Sequence, residues 1–296
     1  MRPFVNKVAA AASPWLIAGG LLAAPSDALA RLEARMYAIS VWDVAGDTAC
    51  SGSRRDAWPD MVDAWYNEIT RVGVKIFGVC LLGHCDEAFS PDGRVVNGSI
   101  ANSWFADQGV VTWGRDTLQL EDADAAMIGT HGADSAGVWS GTMRVNEAGQ
   151  GDCSIRRDEM RIGNSDLEFL HLSSCNSMDR NQWPDWWRAF GRAHQVDGFH
   201  GFMWIGSGLV SNYRNFASDA FDSSISAAWL DNHYVPDVSG SFDQCPVAYA
   251  VGANRADATN RLFNERYNNV FADPSSIGWW HVTYIAGCAP QNEDAL

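Results

Sequence analysis

Positive charge is what this chain has least of. Lys and Arg number 21 against 36 Asp and Glu, a formal net charge of −15. A surface that acidic repels polyphosphate and anionic lipid, which argues against nucleic-acid binding and against electrostatic attachment to membranes. It permits a cationic partner without naming one. Long apolar runs are absent beyond residue 30, so nothing later in the chain is fit to cross a hydrocarbon layer about 30 Å thick. Internal repeats, low-complexity tracts and linkers are missing too, which argues against disorder and against a string of modules. Zinc-type spacing is incomplete. Cys80, His84 and Cys85 lie close together, but no second ligand cluster follows them, so a local disulfide is the favoured reading and neither metal nor cofactor is implied.

What is present is globular. The 296 residues are 47% apolar and 19% charged, enough for one domain with a sizeable core. Arg2 and Lys7, an apolar stretch at 8–24 and the small-x-small Ala28-Leu29-Ala30 read as a signal peptide over 1–30. The expected mature domain is 31–296, secreted or periplasmic, with no membrane span. The seven cysteines are Cys50, Cys80, Cys85, Cys153, Cys175, Cys245 and Cys288. In an oxidising compartment an even subset pairs and one is left as a reactive thiol. Cys80 and Cys85 suit a local bridge, and Cys245 could pair with Cys288; the full connectivity is not readable.

Strands are expected at 36–42, 125–130, 166–173, 198–205, 247–251 and 278–286. The apolar run 74–82 (VKIFGVCLL) reads as a further strand, buried on both faces. Helical spacing marks 56–71, where Trp58, Met61, Val62, Trp65, Ile69 and Val72 form one stripe. Further helices are expected at 184–195, 215–232 and 258–267, and a hairpin near 138–145. The stretch 83–119 reads as a loop-rich insertion with at most one short strand, and carries an Asn97-Gly98-Ser99 glycosylation sequon. The alternation predicts an α/β domain with a mostly parallel sheet flanked by helices.

Two of these strands end on reactive side chains: 125–130 on His131-Gly132, and 166–173 on Ser174-Cys175. In open α/β sheets, sites form beyond the carboxyl ends of the strands. Neighbouring strands would place the two tips about 5 Å apart. An imidazole there can take the thiol proton and return it to a leaving group. Gly132 lets backbone approach a substrate and offers its N–H to an oxyanion. A lone Cys at a strand end is more often inert, so the reading rests on the pair and on the odd cysteine count. His171, inside the strand, reads as a core residue.

The segments AAMIGTHG (125–132) and LEFLHLSSC (167–175) resemble those of caspase-like cysteine peptidases, the CD clan. The style is closest to CHAT and gingipain-type bacterial members. GFHGFMWIGSG (198–208) is similar to the strand that follows the nucleophile in CHAT domains. The resemblance spans roughly 122–234. It implies a caspase-like sheet, Cys175 as nucleophile, His131 as general acid/base in a dyad, an oxyanion hole from the N–H groups of Gly132 and Cys175, no cofactor, and a protein or peptide substrate. The caspase pentapeptide around the nucleophile is absent, and Gly206-Ser207-Gly208 stands where many relatives carry an acid after the Trp204 strand. Asp134, Asp179, Trp204 and Ser207 are the substrate-pocket candidates, with solvated loop acids the simpler reading of the two aspartates.

Three other functions compete. One is a catalytically silent caspase-like scaffold used for binding. Another is a glycan-binding protein using Trp183, Trp186 and Trp187 in the Trp-rich helix, for which core packing is the simpler reading. The last is a transpeptidase, in which an amine instead of water resolves the acyl-enzyme.

Overall fold

The computed structural model describes residues 31–42, 50–77, 79–147, 153–238 and 240–296. The expected signal peptide lies outside the described residues. Residues 31–296 form one compact unit. In chain order its elements are β1 (Glu33–Ala38), α1 (Trp58–Ile69), β2 (Val74–Ile76), β3 (Val79–Leu82), β4 (Ser90–Val96), β5 (Ala125–Gly129), β6 (Gly132–Ser135), β7 (Val138–Thr142), β8 (Ser154–Arg156), β9 (Phe169–Ser173), α2 (Trp183–Trp186), β10 (Gln195–His200), α3 (Val210–Asp222), α4 (Ile225–His233), β11 (Cys245–Gly252), α5 (Arg255–Asn264) and β12 (Trp279–Tyr284).

Seven strands form the main sheet in the order β12-β11-β10-β9-β5-β1-β4. The five from β10 to β4 run parallel, β11 is antiparallel to β10, and β12 is antiparallel to β11. Every residue of β5, β9, β10 and β11 is buried, as a sheet covered on both faces requires. One face carries α1, α3, α4 and α5. His171 of β9 meets Trp65, Phe216, Trp229 and Tyr267 there. On the other face Phe105 packs on Tyr37 and Phe190 on Tyr249. The small antiparallel sheet β6-β7-β8 also lies there, with Trp139 stacked on Trp186.

The mixed α/β fold with a mostly parallel sheet matches the sequence reading; several elements do not. The run 74–82 is not a buried strand. It is the hairpin β2–β3, with Val74, Ile76, Phe77 and Val79 exposed. Phe77 turns at positive φ, and the Cys80–Cys85 disulfide closes the far side. The slot beside β1 is taken by β4, from the loop-rich 83–119 stretch. The helix expected at 184–195 stops after one turn. Backbone bonds from Ile162 N to Ala189 O and from Gly191 N to Ile162 O pull the chain straight, and β10 starts at Gln195. The strand expected at 198–205 ends at His200, because Gly201 at positive φ turns the chain out beneath Pro290 and Asn292. The helix expected at 215–232 is two, broken where Ser224 caps α4 by accepting from Ala227 N. Asn97 is no open glycan acceptor: its side chain bonds Ser40 N, Val41 N and Ser40 Oγ beyond the end of β1.

All three disulfides leave Cys175 alone: Cys50–Cys153, Cys80–Cys85 and Cys245–Cys288. They fit an exported protein. No helix among the described residues is long and apolar enough to cross a membrane.

Candidate functional site

β5 and β9 are adjacent and parallel, with Gly129 opposite Ser173. The ladder continues one step past the strand ends, where Thr130 N–H donates to Ser173 O (3.2 Å). His131 and Cys175 therefore emerge side by side at the carboxyl edge of the sheet. They share a cavity of about 570 Å³, lined also by Ser53, Arg55, Gly132, Gln291 and the loop Phe202–Ile205.

The imidazole is held on three sides. Trp42 lies 4.5 Å away between ring centroids, and Trp58 meets the ring edge-on at 5.2 Å. The carbonyl of Ser53 lies 2.7 Å from Nε2. A carbonyl only accepts, so Nε2 carries the hydrogen and Nδ1 is the basic nitrogen of the neutral ring. Burial, helped by the charge of Arg55, pushes the His131 pKa below the ordinary histidine value. The ring is neutral at pH 7, ready to accept a proton.

Cys175 sits on a tight turn. Asn176 follows it in the left-handed region, a conformation Asn tolerates better than most residues, and its N–H donates to Gly201 O. Ser177 Oγ braces the turn between Ser174 O (2.8 Å) and Phe199 N (2.9 Å). Below it, Ser173 Oγ bonds Trp58 Nε1 (3.0 Å) and Tyr213 OH (2.6 Å), which fixes the end of β9 against α1 and α3. Burial pushes the Cys175 thiol up from its ordinary value. The resting pair is therefore thiol and neutral imidazole, and thiolate forms only as the proton moves.

Gly132 has no room for a side chain. A Cβ there would lie 2.2 Å from both Cys175 O and Ser174 Oγ. Thr142 N–H donates to His131 O, so Gly132, opposite Gly141, takes a non-hydrogen-bonded position of the hairpin. Its N–H points away from β7, free for an incoming oxygen. Gly132→Ala is expected to cost about 1–3 kcal/mol of stability by overpacking. Any activity should fall with it, since the turn bearing Cys175 must move. A denaturant melt read beside an activity assay checks both.

Of the four pocket candidates, only Trp204 lines the cavity. Asp134 staples the β6–β7 turn and accepts from Gly137 N, Asn181 and Gln182. Asp179 is no solvated loop acid: it is buried, accepts from Gly201 N (2.7 Å) and lies 3.3 Å from His200 Nδ1, under the loop that carries Trp204. Ser207 is exposed at the turn into α3 and stands outside the lining. The sequence reading missed Trp42, Ser53, Arg55 and Gln291. Ser53 acts through its backbone, which leaves no mark in a sequence. Trp58 had been read only as core.

Arg55 is the one charged side chain among the described residues that line the cavity. It is exposed, meets no carboxylate among the described residues, and its Nη1 donates to Arg54 O. Arg54 instead pairs with Asp56. The loop holding Ser53 and Arg55 is tied down by Cys50–Cys153, which closes a 103-residue separation. Replacing both cysteines by serine should destabilise the protein by about 4–5 kcal/mol in the chain-entropy model, measured by denaturant melts.

His171 and His194 are structural. His171 bonds Asp197 (2.8 Å) and Tyr267 (2.8 Å) in the core, and His194 bonds Glu265 (2.6 Å). No group of three metal-ligating side chains comes together among the described residues. Residues 96–284 match DUF6345, described as a domain of unknown function. The match covers well over half of the chain, which therefore belongs to that family. No curated protein and no solved structure matches the chain.

Proposed function

We propose that this DUF6345 member is a caspase-like thiol hydrolase that cleaves peptide bonds, with Cys175 as nucleophile and His131 as general acid/base. One observation carries the reading. The single described cysteine outside a disulfide shares a cavity with a histidine whose Nε2 is fixed on a carbonyl, at the carboxyl ends of adjacent parallel strands.

In this reading His131 Nδ1 takes the Cys175 proton as Sγ attacks the scissile carbonyl carbon. The carbonyl oxygen becomes an oxyanion within reach of the Gly132 and Cys175 N–H groups. Collapse breaks the C–N bond, and the proton on His131 passes to the leaving amine. Water, deprotonated by His131, then attacks the thioester and releases acid and thiol. Iodoacetamide and a peptidyl electrophile, followed by mass spectrometry, test the assignment. Adducts should map to Cys175 and slow sharply in His131→Ala; labelling elsewhere, or indifference to His131, refutes it. An unreactive Cys175 would favour a scaffold that binds in the same cavity without turnover.

The substrate side follows from charge. With Arg55 at the cavity and no acid among the described residues that line it, a cationic side chain finds no partner there. An acidic residue on the acyl side of the scissile bond finds one.

The pH dependence has a definite sign. His131 must be neutral to act, and its pKa lies below the ordinary value. Activity should therefore persist as pH falls through about 6.5, the ordinary imidazole value, and be lost only further down. A kcat/KM profile whose acid limb sits at or above that value would contradict the assignment.

A further inference from the structure

A second, aromatic-lined surface lies three strands along the sheet from β9, at β12. A cavity of about 710 Å³ there is lined by Trp183 and Trp187 of the α2 region, by Trp279, Trp280, His281, Val282 and Tyr284 of β12, and by Arg255 at the start of α5. Its β12 residues come from both faces of the strand. His281 turns toward α5, bonding Thr259 Oγ1 (2.9 Å) and meeting Phe263 edge-on. Trp280 and Tyr284 turn the other way, stacking on Tyr249 (5.5 Å) and lying against Trp183 (5.2 Å). A cavity lined from both faces of one strand lies along its edge.

That edge is open. β12 ends the sheet, and no described strand pairs with its outer side. Exposed edges are normally blunted by charge or proline. The opposite edge obeys this rule: β4 reads SPDGRVV, with Pro91, Asp92 and Arg94. β12 reads WWHVTY and carries neither Pro, Lys, Arg, Asp nor Glu. Its outward N–H and C=O groups form a ready template for a further strand, flanked above and below by aromatic side chains.

Charge narrows the occupant. On a chain with net charge −15, the described residues that line this cavity include no carboxylate and one guanidinium. Arg255 is exposed and has no ion pair among the described residues. A second copy pairing through the same edge would bring the same lining and no acid to meet it.

We infer that the β12 edge binds an extended acidic peptide segment, which adds as an eighth strand, presents a carboxylate to Arg255 on the α5 side, and sets large apolar side chains against Trp183, Trp187 and Tyr284 on the other. The inference stands independently of the Cys175 chemistry.

The test uses the full chain with Cys175→Ala and an immobilised positional-scanning library of hexapeptides. Retained peptides should be enriched in Asp or Glu at one position and in aromatic or aliphatic residues at its odd-numbered neighbours. Arg255→Glu should weaken the best of them about tenfold or more and shift the enrichment to Lys or Arg. N-methylation on one alternate set of residues should abolish binding, and on the other set leave it. Arg255 is exposed, so the variant should fold; its melting curve checks that. The inference is overturned by no enrichment, by enrichment indifferent to Arg255→Glu, or by loss with Arg55→Glu instead, which would place the peptide in the Cys175 cavity. It is equally overturned if the free protein is a dimer that Trp279→Ala makes monomeric, since the edge would then be covered by a second copy.

Discussion

Cys175→Ala is expected to reduce peptide hydrolysis at least about a thousandfold while leaving the fold intact. Loss of a nucleophile removes the covalent route altogether, and what survives is binding and oxyanion stabilisation. The side chain is half-buried, and among the described residues its one polar contact is a 3.8 Å approach of Sγ to Met203 O. Truncation therefore strands no buried partner, and the melting curve should barely move. Fluorogenic peptides compared between wild type and variant give the rates. If Cys175→Ala hydrolyses peptides as the wild type does, the thiol is not the nucleophile. Cys175→Ser should recover little, because a hydroxyl is a far weaker nucleophile at a site where the base is only a neutral imidazole.

The second large effect concerns selection. Arg55→Glu should lower kcat/KM for peptides acidic on the acyl side of the scissile bond by roughly a hundredfold, turning an attraction at the cavity into a repulsion. It should raise kcat/KM for lysine and arginine peptides. Solvent exposure of Arg55 limits the effect and makes it salt-dependent, so low ionic strength will show it best. The variant also has a readout on catalysis itself. The Arg55 charge helps hold the His131 pKa down and lowers that of Cys175. Replacing it by a carboxylate should shift the acid limb of the pH profile upward, whatever the substrate. A variant that alters neither selectivity nor this limb would remove Arg55 from the site.

The two strands that lead to His131 and Cys175 were readable because each is mostly apolar, is buried on both faces and is followed within two residues by the histidine or the cysteine. Burial on both faces writes that pattern directly into sequence. The same rule misread 74–82, whose apolar residues lie in an exposed hairpin. Apolarity records the capacity to be buried, and the place beside β1 goes to the less apolar β4. The helix expected at 184–195 failed for a similar reason, since the backbone bonds to Ile162 that stretch it are non-local. The pocket candidates were placed by sequence neighbourhood to the reactive pair. Asp179 is near Cys175 in sequence, yet its carboxylate supports the loop from below. Arg55 and Ser53 come from a loop between β1 and α1, with no periodicity to mark them.

The raised thiol pKa of Cys175 has a consequence for the life of such a protein outside the cell. Thiol–disulfide exchange and peroxide attack both proceed through thiolate. An unpaired cysteine kept protonated by burial is chemically quiet in an oxidising milieu, and six other cysteines fold beside it without capturing it. In the proposed mechanism the ionised form appears as His131 removes the proton toward a bound electrophile. In an exported protein the arrangement would protect the odd thiol, and it would allow chemistry at Cys175 without the reducing agents that would open Cys50–Cys153.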